Sequence, residues 1–153
     1  MDLILWRHAE AVEVAPGGDD MARVLTPRGD KQAKRMAAWL DRQLPHSTRV
    51  WASPALRTEQ TALALGRKFK NHAALAPDGS VGALLELVQW PHAKGCVLVV
   101  GHQPLLGQTL STLLGMQAGE CAVKKGAVWW LRYRQRGDGC STVVVTVQTP
   151  ELL

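Results

Sequence analysis

The sequence holds one tyrosine, one phenylalanine, three cysteines and no long apolar run. Each shortage excludes something. So few of these rings leave little on which nucleobases could stack. Lys and Arg outnumber Asp and Glu by 18 to 13, but the positive charge is spread along the chain, so nucleic acid is not an expected partner. The densest basic cluster, Arg67-Lys68-Phe69-Lys70, reads as the solvated end of a helix. Cys96, Cys121 and Cys140 lie far apart with no C-x-x-C spacing, which argues against a zinc site or a disulfide framework. They are expected to be free thiols in a reducing compartment. No stretch approaches the roughly 18 apolar residues of a membrane span. No basic leader precedes an apolar segment at the N-terminus. The expected setting is the cytoplasm, with no membrane partner. There is no internal repeat and no low-complexity tract. What is present is a chain of 153 residues, 46% apolar, enough for one domain spanning residues 1–153 with a sizeable core.

The pattern alternates strands and helices. Residues 2–7 read as a buried strand and residues 8–25 as a loop, with Pro16-Gly17-Gly18-Asp19-Asp20 supplying turn chemistry. Thr26 as cap and Pro27 at the first helical position open a helix. Its face is Ala33, Met36, Ala37, Leu40 and Leu44, and Pro45 closes it. Residues 49–52 read as a second strand. Ser53-Pro54 repeats the cap-and-proline signature for a helix carrying Ala55, Thr58, Ala62, Leu65 and Phe69 on one face. Residues 73–80 combine a short extended piece with a turn, and a third helix is expected from Val81 to about His92. Residues 96–100 form a strong strand. Gln103-Pro104 opens a helix carrying Leu106, Leu110 and Leu113, which Gly115 can end. Ala127 to Arg134 and Thr142 to Thr149, separated by Gly137-Asp138-Gly139, give a hairpin signal. The predicted architecture is α/β: a three-layer α/β/α sandwich with a mostly parallel central sheet and antiparallel edge strands from the C-terminal hairpin. Trp129 and Trp130 are expected on opposite faces, one in the core and one exposed.

Three segments share one design, an apolar strand, then a polar residue, then a break. They present Arg7-His8, Ser53-Pro54-Ala55-Leu56-Arg57 and Gly101-His102-Gln103-Pro104. In an open α/β sheet the carboxyl ends of parallel strands form the ligand crevice. Arg57 falls in the first turn of a helix, where the macrodipole disfavours a cation, so its placement points to an anion nearby. The bland alternatives are an ion pair of Arg57 with Glu10 or Glu59, and satisfied core histidines at 8 and 102. His102, just before a helix start, should be biased towards its neutral form. His46, His72 and His92 have no such context and read as surface residues.

These motifs resemble the histidine phosphatase superfamily, and within it the short phosphohistidine phosphatases. The family's strand-Arg-His-Gly corresponds to Leu5-Trp6-Arg7-His8-Ala9. Its Leu-Thr-x-x-Gly corresponds to Leu25-Thr26-Pro27-Arg28-Gly29. Its Ser-Pro-x-x-Arg-x-x-Gln-Thr is matched from Ser53 to Thr61, and its strand-x-His-x-Pro by Val100-Gly101-His102-Gln103-Pro104. The four motifs follow family order and cover residues 2 to about 115. The resemblance implies His8 as a nucleophile that becomes phosphorylated, with Arg7, Arg57 and His102 completing the phosphate pocket. It implies no cofactor and no metal. Two arginines keep their protons at neutral pH and would hold His8 unprotonated. Arg23, Glu10 and Gln103 are rim candidates, although a solvated loop arginine is an equally good reading of Arg23 and Gln103 reads first as a cap or turn former.

Ala9 stands where the family has glycine, and one added methyl should be tolerated. The general acid is unknown. Between Arg57 and His102 the carboxylates are Glu59, Asp78 and Glu86, and only the last two stand as weak candidates for it. Asp78 sits in a turn and Glu86 on a helix. A phosphorylated histidine has an easier leaving group than an ester, which tilts the expected substrate towards phosphohistidine in a protein partner. Short linkers, with no large insertion to roof the pocket, agree. A phosphatase for small phosphate monoesters, or a non-catalytic phosphate-binding module, are the alternatives. The chain is expected to work as a monomer.

Overall fold

A computed structural model describes residues 1–153. Six strands form one sheet in the order β3-β2-β4-β1-β5-β6, with β1 at Asp2–Arg7, β2 at Arg49–Ala52 and β3 at Lys70–Asn71. β4 spans Cys96–Gly101, β5 Val128–Arg136 and β6 Gly139–Gln148. β1, β2, β3 and β4 run parallel, while β5 lies antiparallel to β1 and β6 antiparallel to β5. The hairpin therefore supplies the antiparallel side of a mixed sheet. Of its two strands, β5 is interior and β6 is an edge, with β3 at the opposite edge of the sheet.

Strand alternation sorts the core into two layers. Ile4, Trp6, Val50, Ala52, Leu98, Val100, Val128 and Trp130 face α1 (Pro27–Gln43) and α2 (Leu56–Leu63). Leu3, Leu5, Val97, Val99 and Leu131 face α3 (Val81–Val88) and α4 (Leu105–Leu114). β4 is buried along its whole length, as expected of a central parallel strand. Trp129 and Trp130 do take opposite faces, but both pack against a core, so neither is the exposed ring expected of the pair.

The start of α1 follows its sequence signature. Thr26 Oγ1 accepts from the Gly29 amide at 3.0 Å, Pro27 opens the helix and Leu44 ends it before Pro45. Gly29 has a second role. A Cβ there would lie 1.9 Å from the Glu10 carbonyl oxygen, so only glycine lets α1 rest on the segment that follows His8. Gly29→Ala should therefore cost roughly 3 kcal/mol or more in urea unfolding, because the clash is with backbone. Gly82→Ala, which meets open space, should be within about 1 kcal/mol of the parent.

Four expectations need correction. Residues 8–25 are not plain loop: 3-10 turns span Pro16–Gly18 and Asp20–Ala22, and Ala11 bridges to Leu25. α2 begins at Leu56 without a side-chain cap and stops at Leu63. Gly66, at φ +72, turns the chain, so Leu65 and Phe69 reach the core from a loop. The Arg67–Lys70 cluster is accordingly not a helix end. Arg67 reaches back to accepting carbonyls of Asp41, Leu44 and Pro45 at the end of α1. α3 is shorter than expected, because Gln89 adopts a left-handed conformation two residues before Pro91.

Candidate active site

The strand order places the three polar segments side by side. β4 lies between β1 and β2, so His102 emerges between His8 and Ser53. The parallel ladder continues one step beyond the strands: the His8 amide donates to Gly101 O at 3.0 Å and the Ser53 amide to Val100 O at 3.0 Å. α1 and α2 then leave on one face and α4 on the other, which opens the crevice at the switch of connection side.

His8 and His102 are both buried, with ring centroids 5.3 Å apart. His8 Nδ1 lies 2.7 Å from the Ala9 carbonyl. A carbonyl only accepts, so Nδ1 carries the proton and Nε2 keeps a free lone pair. Burial, and then the charges of Arg57, Arg7 and Arg23, push the His8 imidazole down to about 4, although its bond to Ala9 pulls the other way. Burial and Arg57 lower His102 to about 3. Both rings are neutral at pH 7.

This depression has a stability consequence. The unfolded chain takes up protons on these histidines near pH 6.5, and the folded chain not until about 4 and 3. Stability is complete above 6.5 and falls with pH below it. Between pH 6 and 5 each ring should remove about 1.4 kcal/mol per pH unit. Urea midpoints across that interval check the slope, which should shrink in His102→Gln.

Arg57, in the first turn of α2, is buried. Its partner is neither Glu10 nor Glu59 but Asp20, through Nη1 to the carbonyl at 2.8 Å and Nη2 to Oδ2 at 3.1 Å. Arg7 Nη1 donates to Val123 O at 2.7 Å. Three buried polar atoms have no partner in the protein: Arg7 Nε, Arg57 Nε and His102 Nδ1. Burying polar atoms unpaired is costly, and all three belong to this cluster.

Of the rim candidates, Arg23 is drawn in. Its Nε donates to Val12 O at 2.6 Å, its Nη1 to Asp20 Oδ1 at 3.0 Å, and its charge is felt by His8. Glu10 is turned to α1, accepting from Thr26 Oγ1 at 2.7 Å. Gln103 braces the site from below: it accepts from the Gly107 amide at 2.7 Å and donates to Cys121 O at 2.9 Å. Asp78 and Glu86 are exposed and form no hydrogen bond or ion pair with a site residue, so neither is placed as the acid. Ala9 lies outside the left-handed region, fully buried, with its amide on Thr61 Oγ1 at 3.1 Å; the position does not need glycine's conformational freedom.

Sequence reasoning missed Ser53 and Asp20. Ser53 does not cap α2; its Oγ meets His102 Nε2 at 2.8 Å. Its signal was its position after a strand, parallel to His8 and His102. Asp20 looked like turn chemistry, and nothing in its spacing ties it to Arg57. A cavity of about 620 Å³ between Arg49–Trp51 and Arg67–Lys70 holds none of these residues.

Comparison with known proteins agrees with this geometry. The model of the histidine phosphatase superfamily (branch 1) matches residues 3–78. Phosphohistidine phosphatase SixA of Escherichia coli (strain K12) is 33% identical over 121 residues, covering 74% of each chain. The SixA homolog of Haemophilus influenzae is 30% identical over 130 residues, covering 75% of this chain and 78% of that one. A solved structure of the protein histidine phosphatase SixA complexed with tungstate superposes with a TM-score of 0.84 at 26% identity, covering 99% of both chains. With these relatives, this fold and the paired histidines at the ends of β1 and β4, the chain belongs to the histidine phosphatase superfamily, in its SixA branch.

Proposed function

We propose that this chain is a metal-independent phosphatase that removes phosphate from phosphohistidine in a partner protein, through a phosphohistidine intermediate on His8. The observation that carries the reading is the state of His8. Its proton is held on Nδ1 by Ala9 O, and its Nε2 is left as a neutral nucleophile beside two arginines. A phosphoryl group gathers negative charge on its equatorial oxygens during in-line transfer, and Arg7 and Arg57 supply fixed positive charge there. The unpartnered Arg7 Nε, Arg57 Nε and His102 Nδ1 are the groups such oxygens would satisfy. Ser53 orients the His102 ring. Nucleophile, cations and orienting groups all come from one chain, which supports a monomer acting as one domain over residues 1–153. The relatives named for phosphohistidine favour the same substrate here, and we place the activity in the cytoplasm.

Wild-type protein given a phosphohistidine peptide should release phosphate in the presence of a chelator and yield an acid-labile, base-stable phosphoenzyme. Turnover of sugar phosphates exceeding that of phosphohistidine peptides would instead favour a phosphomonoesterase. Failure to label the protein from any donor would leave only a phosphate-binding module.

A further inference from the structure

In-line transfer puts the leaving atom opposite the attacking Nε2. His8 is 5% exposed and forms the floor, so the leaving atom faces the mouth. Asp20, its side chain 55% exposed, is bonded to Arg23 and Arg57, two of the arginines whose charges reach His8. Its two carboxylate oxygens meet Arg57 Nη2 at 3.1 Å and Arg23 Nη1 at 3.0 Å. The other nearby carboxylates bond elsewhere: Glu10 to Thr26, Glu59 to Asn71 and Glu120 to Gln103. Asp19 is turned to the Met21 amide. An anion that takes the terminal nitrogens of Arg57 must therefore meet Asp20.

Building on the phosphatase reading, we propose that Asp20 is the general acid and base of the reaction. In the first step His8 Nε2 bonds to phosphorus and the bond from phosphorus to the leaving atom breaks. The leaving atom keeps the electron pair and takes the proton of the Asp20 carboxyl. In the second step a water oxygen bonds to phosphorus, and the bond to Nε2 breaks with its pair returning to the ring. The water proton passes to the Asp20 carboxylate, which restores the acid. The two arginine contacts explain how one carboxyl serves both steps. Arg23 and Arg57 hold the Asp20 carboxyl below the usual carboxylate range. A phosphate on Arg57 removes one of those partners and sets a dianion beside the carboxyl, and both changes raise its proton affinity. The charged and titratable groups facing it are Arg23, Arg57 and, through its field, His102.

Asp20→Asn keeps the shape and loses the proton. The readout is single-turnover formation of phospho-His8 from aryl and alkyl phosphates of graded leaving-group basicity. With 4-nitrophenyl phosphate, whose leaving group needs no proton, the variant should stay within about tenfold of wild type. With phenyl and alkyl phosphates the loss should be about 100-fold or more. The basic limb of the pH profile of kcat, which reports the enzyme–substrate complex, should disappear, and inorganic phosphate should bind at least as tightly as to wild type. An equal loss along the whole series, no loss, or the same steepening in Glu120→Gln in place of Asp20→Asn would overturn the assignment. If wild type forms phospho-His8 and Asp20→Asn behaves like it, only the role of Asp20 falls. If wild type forms none, the phosphatase reading falls and this assignment with it.

Discussion

His8→Ala should lose turnover by about 10⁴-fold or more while remaining folded, because it removes the atom proposed to bond to phosphorus. The substitution leaves the strand ladder untouched, since the backbone amide of residue 8 still reaches Gly101 O and its carbonyl still accepts from the Gly126 amide. The buried ring is neutral and makes one side-chain bond, to its own neighbour, so its loss should move stability by only about 1–2 kcal/mol. Far-ultraviolet circular dichroism and a thermal melt report the fold, and labelling with a radioactive phosphodonor reports the intermediate. Activity near that of wild type in His8→Ala would remove the nucleophile from His8 and with it the mechanism.

Arg57→Ala should come next in severity, lowering kcat/KM about 10³-fold. Arg57→Lys should recover little of this, since lysine keeps the charge but loses the planar fork that meets two oxygens at once. A purely structural role would also weaken the protein, so activity alone does not separate the cases. The titration of His8 does. Arg57 is one of the charges that depress the His8 imidazole to about 4. Its removal should raise that value, whereas the same change made at a surface arginine such as Arg49 should leave it in place. An unmoved His8 titration in a folded Arg57→Ala protein would show that the guanidinium does not act on the nucleophile.

Much of the site was legible because local rules place it. A buried run ending in a polar residue marks the carboxyl end of a parallel strand, and that pattern located Arg7-His8 and His102. Arg57 was legible because a cation in the first turn of α2 opposes the helix dipole. Capping chemistry likewise marked Thr26 and Pro27. Reading failed where local signals compete. Ser53-Pro54 carries a helix-start signature, yet the Ser53 hydroxyl is taken by His102, and α2 starts at Leu56. Gly66 outweighed the helical spacing of Leu65 and Phe69, because a residue at φ +72 reverses the chain.

The sequence by itself determined the alternation of strands and helices, the two-layered core, the polar residues at the strand ends and the family those motifs belong to. These follow from periodicity, capping and motif order, which are properties of neighbouring residues. Tertiary structure alone decided the strand order that sets His102 between His8 and Ser53, the proton on His8 Nδ1 and the partnership of Arg57 with Asp20. Those depend on residues far apart in the chain meeting in a dry crevice, where burial sets protonation and each buried polar atom must find a partner or wait for a ligand. Asp20 lies 37 positions from Arg57, and no spacing rule spans that distance; only the folding of the loop over residues 12–25 onto α2 does.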